Sequence, residues 1–230
     1  MTHSKSFILI ILASITAVSI AHTYASNDWL RFGLKGKVKS YSQRTYKAVK
    51  TSDELVIGDA EDIGNDNVSF DAAGRYLGTD AMDSQNKLAR RITPTYEEGK
   101  VVKEDHFSPD GELLMTSNIH RINETEYTFE SFDSKGDRLL TINSAYGGQR
   151  ITKQYVDDHQ RGYDINVHFE YNEDAHMTSM RHTNLEGNLV FSETYEYIAK
   201  DSRGNWTKRL VYRLKGKEPR SIQVRKYEYY

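Results

Sequence analysis

One turn recurs along this chain of 230 residues and restricts its fold more than any other feature. FDAAGR at 70–75, FSPDGE at 107–112 and FDSKGD at 132–137 each run from an aromatic through polar residues to a glycine four positions on. YEEGKV at 96–101 is one residue shorter, while NLEGNLV at 184–190 and DSRGNWT at 201–207 carry the same xxxG turn behind other lead-ins. YNEDAH at 171–176 keeps the spacing but sets Ala175 where glycine is expected. Hairpin turns need a backbone position at positive φ, which a Cβ penalises and glycine does not. Between the turns the apolar residues alternate, as in Ile165-Asn166-Val167-His168-Phe169-Glu170-Tyr171, and Arg209 to Lys215 alternates in the same way. Such one-sided alternation belongs to antiparallel sheets with one wet face.

Helical periodicity is hard to find beyond the N-terminal segment. Val38 to Tyr46 reads as a first strand, 51–66 as a long loop, and 80–91 as the one short helix. At usual strand lengths the turn spacing predicts roughly eight to twelve strands. The expected fold class is therefore all-β: an antiparallel meander of repeated β-hairpins forming a curved sheet, with little helix beyond a signal peptide.

Residues 7–21, FILIILASITAVSIA, form an apolar run too short to span a bilayer comfortably, flanked by Lys5 and by the small-residue stretch AHTYAS. That is the pattern of a cleaved secretory signal, with the cut expected after Ala25. The reading is then a signal peptide at 1–25, a single β-hairpin-repeat domain at 26–230, and a periplasmic or secreted location. The chain has no cysteine, which excludes a disulfide scaffold, thiol chemistry, Zn-thiolate sites and a lipidated N-terminal cysteine. With sixteen tyrosines among few aliphatics, tyrosine is expected to fill the core.

Net charge near zero conceals segregation. Residues 31–50 hold seven Lys/Arg and no acid, and residues 200–230 hold ten basic against three acidic residues. The stretch between them is strongly acidic. In an open meander the first and last strands are edges, and Lys/Arg there discourage a second chain from pairing. The basic ends are thus expected to be protected edges; the functional rival is an anion-binding patch for lipopolysaccharide, an acidic protein or a polyanionic sugar. Nucleic acid is not an expected partner for an exported acidic chain.

The units Phe132-Asp133-Ser134-Lys135-Gly136-Asp137-Arg138-Leu139, and Tyr195-Glu196-Tyr197 followed by Asp201-Ser202-Arg203-Gly204-Asn205, resemble degenerate YD repeats of the RHS type. The stretch GNWTKR resembles one in small exported bacterial proteins of unknown function. The resemblance covers roughly residues 66–210 and implies β-hairpins and export. Irregular spacing and six to eight units set the chain apart from the long closed shells of that class, and no activity is implied.

Six histidines follow the signal: His106, His120, His159, His168, His176 and His182. His168 and Glu170 share the polar face of one strand, with His176 and His182 around the next turn, giving weak candidates for N/O metal ligation without a recognised ligand spacing. The acid-rich stretch 51–74 (Asp53, Glu54, Asp59, Glu61, Asp62, Asp66, Asp71) does not follow a calcium-loop order and reads as a solvated loop. Acid pairs Glu97-Glu98 and Asp157-Asp158 put their side chains on opposite faces of a strand and cannot act together. No GxSxG elbow is present. Asn67, Asn123 and Asn205 lie in N-x-S/T sequons that matter only in a eukaryotic host. The aromatic set Tyr127, Tyr155, Tyr171, Tyr195, Tyr197, Trp206 and Tyr212 is the candidate binding face, able to stack on sugar rings or clasp a peptide.

The expectation is a non-catalytic binding or envelope-associated protein without cofactor, whose partner is an unidentified protein, peptide or glycan of the cell envelope, with no membrane span after signal cleavage. The rivals are a metal-dependent hydrolase built on His168 and Glu170, and a small outer-membrane β-barrel. Against the barrel, Lys226 and Glu228 share a strand face with Tyr230.

Overall fold

The computed structural model describes residues 28–230 apart from 53, 149 and 215; the expected signal peptide with its cleavage site, and Asp53, lie outside the described residues. A single helical turn, α1 (Asp28–Arg31), leads into fifteen strands. These are β1 (Val38–Lys50), β2 (Leu55–Ala60), β3 (Asp66–Phe70), β4 (Tyr76–Met82) and β5 (Leu88–Glu97). Then come β6 (Lys100–Phe107), β7 (Leu113–Arg121), β8 (Glu126–Asp133), β9 (Arg138–Gly147) and β10 (Arg150–Asp158). The last five are β11 (Tyr163–Tyr171), β12 (Met177–Thr183), β13 (Leu189–Lys200), β14 (Trp206–Arg213) and β15 (Ser221–Tyr229).

From β3 to β15 each strand pairs antiparallel with the next, so the meander expected from the hairpin turns is present. The open curved sheet is not. β15 pairs with β1 along nine register positions, from Val38 opposite Tyr229 to Lys47 opposite Ser221, and β1 pairs in turn with β3. Fourteen strands form a closed barrel, with β2 attached outside the ring to the far end of β1. Closure pairs the outer edges of β1 and β15 with each other, edges that an open meander would leave exposed. The basic ends are consequently not edges. They lie side by side at the closing seam, and edge protection does not account for their charge.

Seven hairpin connections share one geometry. The first turn residue donates its N–H to the carbonyl four positions on, and the fourth donates back to the carbonyl of the first, as in Asp71/Arg75 and Gly74/Asp71, or Asp133/Asp137 and Gly136/Asp133. This is a type I turn closed by a bulge residue in the left-handed region. An Asp, Asn or Ser at the first position holds the loop; Asp201, for instance, accepts from the backbone N–H of Arg203 and of Asn205. The turn 172–176 keeps this geometry with Ala175 at φ 62° in the glycine position. Ala175→Gly is expected to stabilise the protein by about 0.5–1 kcal/mol, the relief of left-handed strain exceeding the added freedom of the unfolded chain. A shift of the urea midpoint at constant slope is the measurement.

The expected helix at 80–91 is a hairpin of this kind: β4 ends at Met82, Asp83–Lys87 turn, and β5 begins at Leu88. Asn86, at φ 61°, stands where glycine marks five of the other six turns, so the punctuation was absent from the sequence. The expected long loop at 51–66 contains β2.

Burial alternates along the wall. On β7 to β11, Met115, Ile119, Tyr127, Phe129, Ile142, Val156, Ile165, Val167 and Phe169 point inward and are no more than 8% exposed. All but Met115 belong to one cluster running from Val101 on β6 to Met180 on β12. A circular fourteen-strand ring of bare walls would leave a channel; here that part of the ring is filled. The outward positions of β4–β12 carry ion pairs: Arg91 with Asp80 at 2.8 Å, Lys103 with Asp105 at 2.7 Å, Arg138 with Glu130 at 2.8 Å, and Arg181 with Glu170 at 3.1 Å.

Residues 28–37 close one end of the ring as a plug. Trp29 donates its indole N–H to the Val38 carbonyl at 2.6 Å and packs with Leu34, Tyr41, Val68, Phe70 and Tyr76. The Asp28 carboxylate accepts from the Tyr76 backbone and from the Tyr96 hydroxyl, each at 2.7 Å. Arg150 donates to the Arg31 carbonyl at 2.9 Å. On the far side, buried Asn205 both accepts from the Lys35 N–H and donates to the Lys35 carbonyl. This short segment thereby touches β4, β5, β10 and the β13–β14 turn.

Candidate functional site

The strand parity that buries an apolar cluster on β7–β11 puts different chemistry inside the seam. On β13 the inward residues are Phe191, Glu193, Tyr195 and Tyr197, set by the register of Glu193 opposite Met180 and Phe191 opposite His182. On β14, Tyr195 faces Val211 and Tyr197 faces Arg209. Arg209, Val211 and Arg213 therefore point inward while Tyr212 points out. The alternation read for 209–215 is right in period and inverted in face. On β15, Gln223 sits opposite Arg209 and Thr45, and Arg225 opposite Gln43.

These side chains form a ladder of guanidinium groups on aromatic rings. The Arg209 guanidinium lies 4.2 Å from the Tyr195 ring centroid and 4.5 Å from that of Trp206. Arg225 lies 4.2 Å from the Trp206 ring centroid and 4.3 Å from that of Tyr41. Cation–π contact of this kind contributes about 0.5–2 kcal/mol, more where water is excluded. Amide side chains set the orientation: Arg209 Nε donates to Gln223 Oε1 at 2.7 Å, and Arg225 Nε to Gln43 Oε1 at 2.9 Å. Arg209 also donates to the Tyr197 hydroxyl at 3.1 Å. Arg213 is paired with Glu193 at 2.7 Å.

Among the described residues, neither Arg209 nor Arg225 has a carboxylate within ion-pair distance. The tyrosines do not supply the missing charge. Burial pushes the Tyr41 hydroxyl up to about 12 despite the pull of Arg225, and burial with the Glu193 carboxylate raises that of Tyr195. Asp66, the acid that Arg225 feels, is itself raised by burial and shared with Arg90 and Arg44. Inward residues of the seam (Glu193, Tyr195, Tyr197, Arg209, Arg213, Gln223, Arg225) are half-buried, whereas their counterparts on β7–β11 are fully buried. Solvent reaches the wall here.

Of the seven aromatics in the expected binding face, the barrel brings Tyr195, Tyr197 and Trp206 together at this wall. Tyr127 and Tyr171 also point inward, Tyr127 inside the apolar cluster and Tyr171 against it. Tyr155 and Tyr212 point outward, where the Tyr212 hydroxyl bonds Glu196 at 2.6 Å. The weak metal candidates are split by the wall. His168 and Glu170 face outward, with Glu170 accepting from Ser179 at 2.6 Å and from Arg181 at 3.1 Å. His176 and His182 lie inside, their rings 4.8 Å from Tyr197 and 5.1 Å from Phe191. Asp157 and Asp158 fall on opposite faces as expected, Asp158 being buried.

Sequence reasoning passed over Arg209, Arg225 and the orienting glutamines Gln43 and Gln223. The available signal was their place in the two basic ends, together with the alternating Phe191, Tyr195 and Tyr197 of β13.

No protein-family description matches the chain, and no curated protein does. Among solved structures it is similar to a porin-like protein from Bacteroides uniformis, at 11% identity and TM-score 0.38, covering 81% of this chain and 59% of that one. A second is the Tc holotoxin pore of Photorhabdus luminescens, at 10% identity and TM-score 0.19, covering 75% of this chain and 14% of that one. The chain thus spans less than two thirds of either protein.

Proposed function

We propose that this chain is an exported, non-catalytic binding protein of the cell envelope, a β-barrel that stands in water and offers the inner wall of its seam to a ligand. One observation carries the reading: the outward face of β4–β12 holds ion pairs and polar side chains, and the inward face holds the apolar core. A bilayer-spanning barrel requires the reverse arrangement, since a charge on the lipid face near the midplane costs about 2–4 kcal/mol. Four such pairs weigh against the outer-membrane rival. The seam supplies what a binding role needs, namely oriented donors and aromatic surface open to solvent.

Cell fractionation tests this. Osmotic shock or salt is expected to release the native protein without detergent, as a monodisperse species. A protein that stays with membranes until detergent is added would overturn the reading in favour of the outer-membrane barrel. The hydrolase rival is tested by metal analysis of the purified protein; stoichiometric metal lost in His168→Ala would overturn the metal-free reading in its favour. The repeated turn geometry also supports the proposed kinship with YD repeats, because Asp133-Ser134-Lys135-Gly136 and Asp201-Ser202-Arg203-Gly204 form the same closed turn.

A further inference from the structure

The seam wall points to a ligand class. We propose that Arg209, Arg225 and His176, set against Tyr197 and Trp206, bind a small polyhydroxylated anion, a sugar bearing a carboxylate or phosphate group; this rests on the binding-protein reading above. Three observations converge. Two guanidinium groups lie against Trp206, each with its Nε tied to a glutamine, so their remaining N–H groups are held in fixed directions. Guanidinium forks match the planar or tetrahedral oxygens of carboxylate and phosphate. Neither group has a carboxylate partner among the described residues, so an arriving anion meets no charged competitor, only the Tyr197 hydroxyl on Arg209 and the Tyr227 hydroxyl on Arg225.

The third observation is His176. It is 4% exposed, its ring lies against Tyr197, and neither ring nitrogen has a hydrogen-bond partner. Tyr197 lies between it and the cations: its ring faces His176 and its hydroxyl accepts from Arg209. A neutral imidazole presents one donor and one acceptor, which is the complement of a hydroxyl group. A ligand with an acidic end and hydroxyls satisfies the arginines and the histidine at once. Buried polar atoms without partners are scarce in folded proteins, and two on one ring beside a half-buried cationic wall mark a place for a ligand.

The probes are D-galacturonate, glucose 6-phosphate and uncharged galactose, followed by Trp206 fluorescence and by calorimetry on the full mature chain. Saturable binding of at least one anion is expected, with galactose weaker by roughly tenfold or more. Which anion binds more tightly distinguishes carboxylate from phosphate recognition. Arg209→Gln and Arg225→Gln are each expected to weaken binding by about tenfold or more, and Arg209→Lys to restore part of it. His176→Phe keeps the ring against Tyr197 and removes both nitrogens; it is expected to weaken binding with the barrel intact by circular dichroism. Arg181→Gln, on the outer face, is expected to bind as the parent does.

Absence of saturable binding by either anion, or binding unchanged in the Arg209→Gln/Arg225→Gln double variant, overturns the proposal. So does equal binding of galactose. A protein released without detergent that fails these assays loses this inference alone; one that requires detergent loses the function reading as well.

Discussion

Trp29→Ala is expected to cost about 3–5 kcal/mol and to lower the melting temperature by about 10 °C. The ring is 8% exposed and packs in a cluster with Leu34, Val38, Tyr41, Val68, Phe70 and Tyr76, which no neighbour can fill after truncation. Its indole N–H is the donor to the Val38 carbonyl, so the variant also leaves a buried acceptor unpaired. The effect should extend beyond the cavity. Trp29 anchors the plug on β1, while Asp28 holds Tyr76 and Tyr96, and Asn205 holds Lys35. Loosening the anchor is expected to raise amide hydrogen exchange at Tyr76 and at Lys35, whose N–H groups are bonded to or by the plug. Val167, in the cluster of the opposite wall, should keep its protection. A drop under about 1 kcal/mol, or exchange rising evenly over all strands, would show that the plug is an accessory to the barrel and not a brace across it.

The sequence made the local parts legible. A turn of five residues writes its needs into five residues: Asp133 to hold the loop and Gly136 to take the left-handed position, and even Ala175 was found at the expected place with positive φ. Where the same turn used Asn86, the signal vanished and the stretch read as helix. Closure was not legible for a different reason. It depends on Val38–Lys47 meeting Ser221–Tyr229 from the far end of the chain, a contact with no local signature. The inverted face of β14 follows from closure. Once the ring exists, register with β13 puts Arg209 beside Tyr195 and Trp206, and aromatic faces make an inward arginine tolerable. The charge pattern was visible from the start. Its meaning changed when the two basic ends proved to be neighbours along the closing seam and not free edges.

Lowering the pH from 7 to 5 is expected to remove about 4 kcal/mol of stability, through four groups inside the barrel that act in opposite directions. Burial holds His106 down to about 3, with Arg90 adding to the effect, and holds His176 and His182 down to about 4. Below their ordinary value of 6.5 these rings bind a proton in the unfolded chain and not in the fold, so stability falls as pH falls. Over the interval from 6.5 to 5 each contributes a loss of about 2 kcal/mol, since one pKa unit is worth about 1.4 kcal/mol. Glu104 opposes them. Its burial raises it to about 7 against the pull of Arg31 and Arg90, so between 4.5 and 7 the fold binds a proton that the unfolded chain does not. That gain is about 2 kcal/mol as pH falls from 7 to 5, because Glu104 is already half protonated in the fold at pH 7, and it offsets about a third of the loss from the histidines. The offset makes the account testable with one substitution. Glu104→Gln removes the opposing term and is expected to steepen the loss to about 6 kcal/mol over the same interval, whatever its effect at pH 7. His106→Phe is expected to make it shallower by about 2 kcal/mol. Urea melts at pH 5, 6 and 7 measure all three slopes, and parallel slopes for the parent and Glu104→Gln would show that Glu104 is ionised inside the barrel throughout.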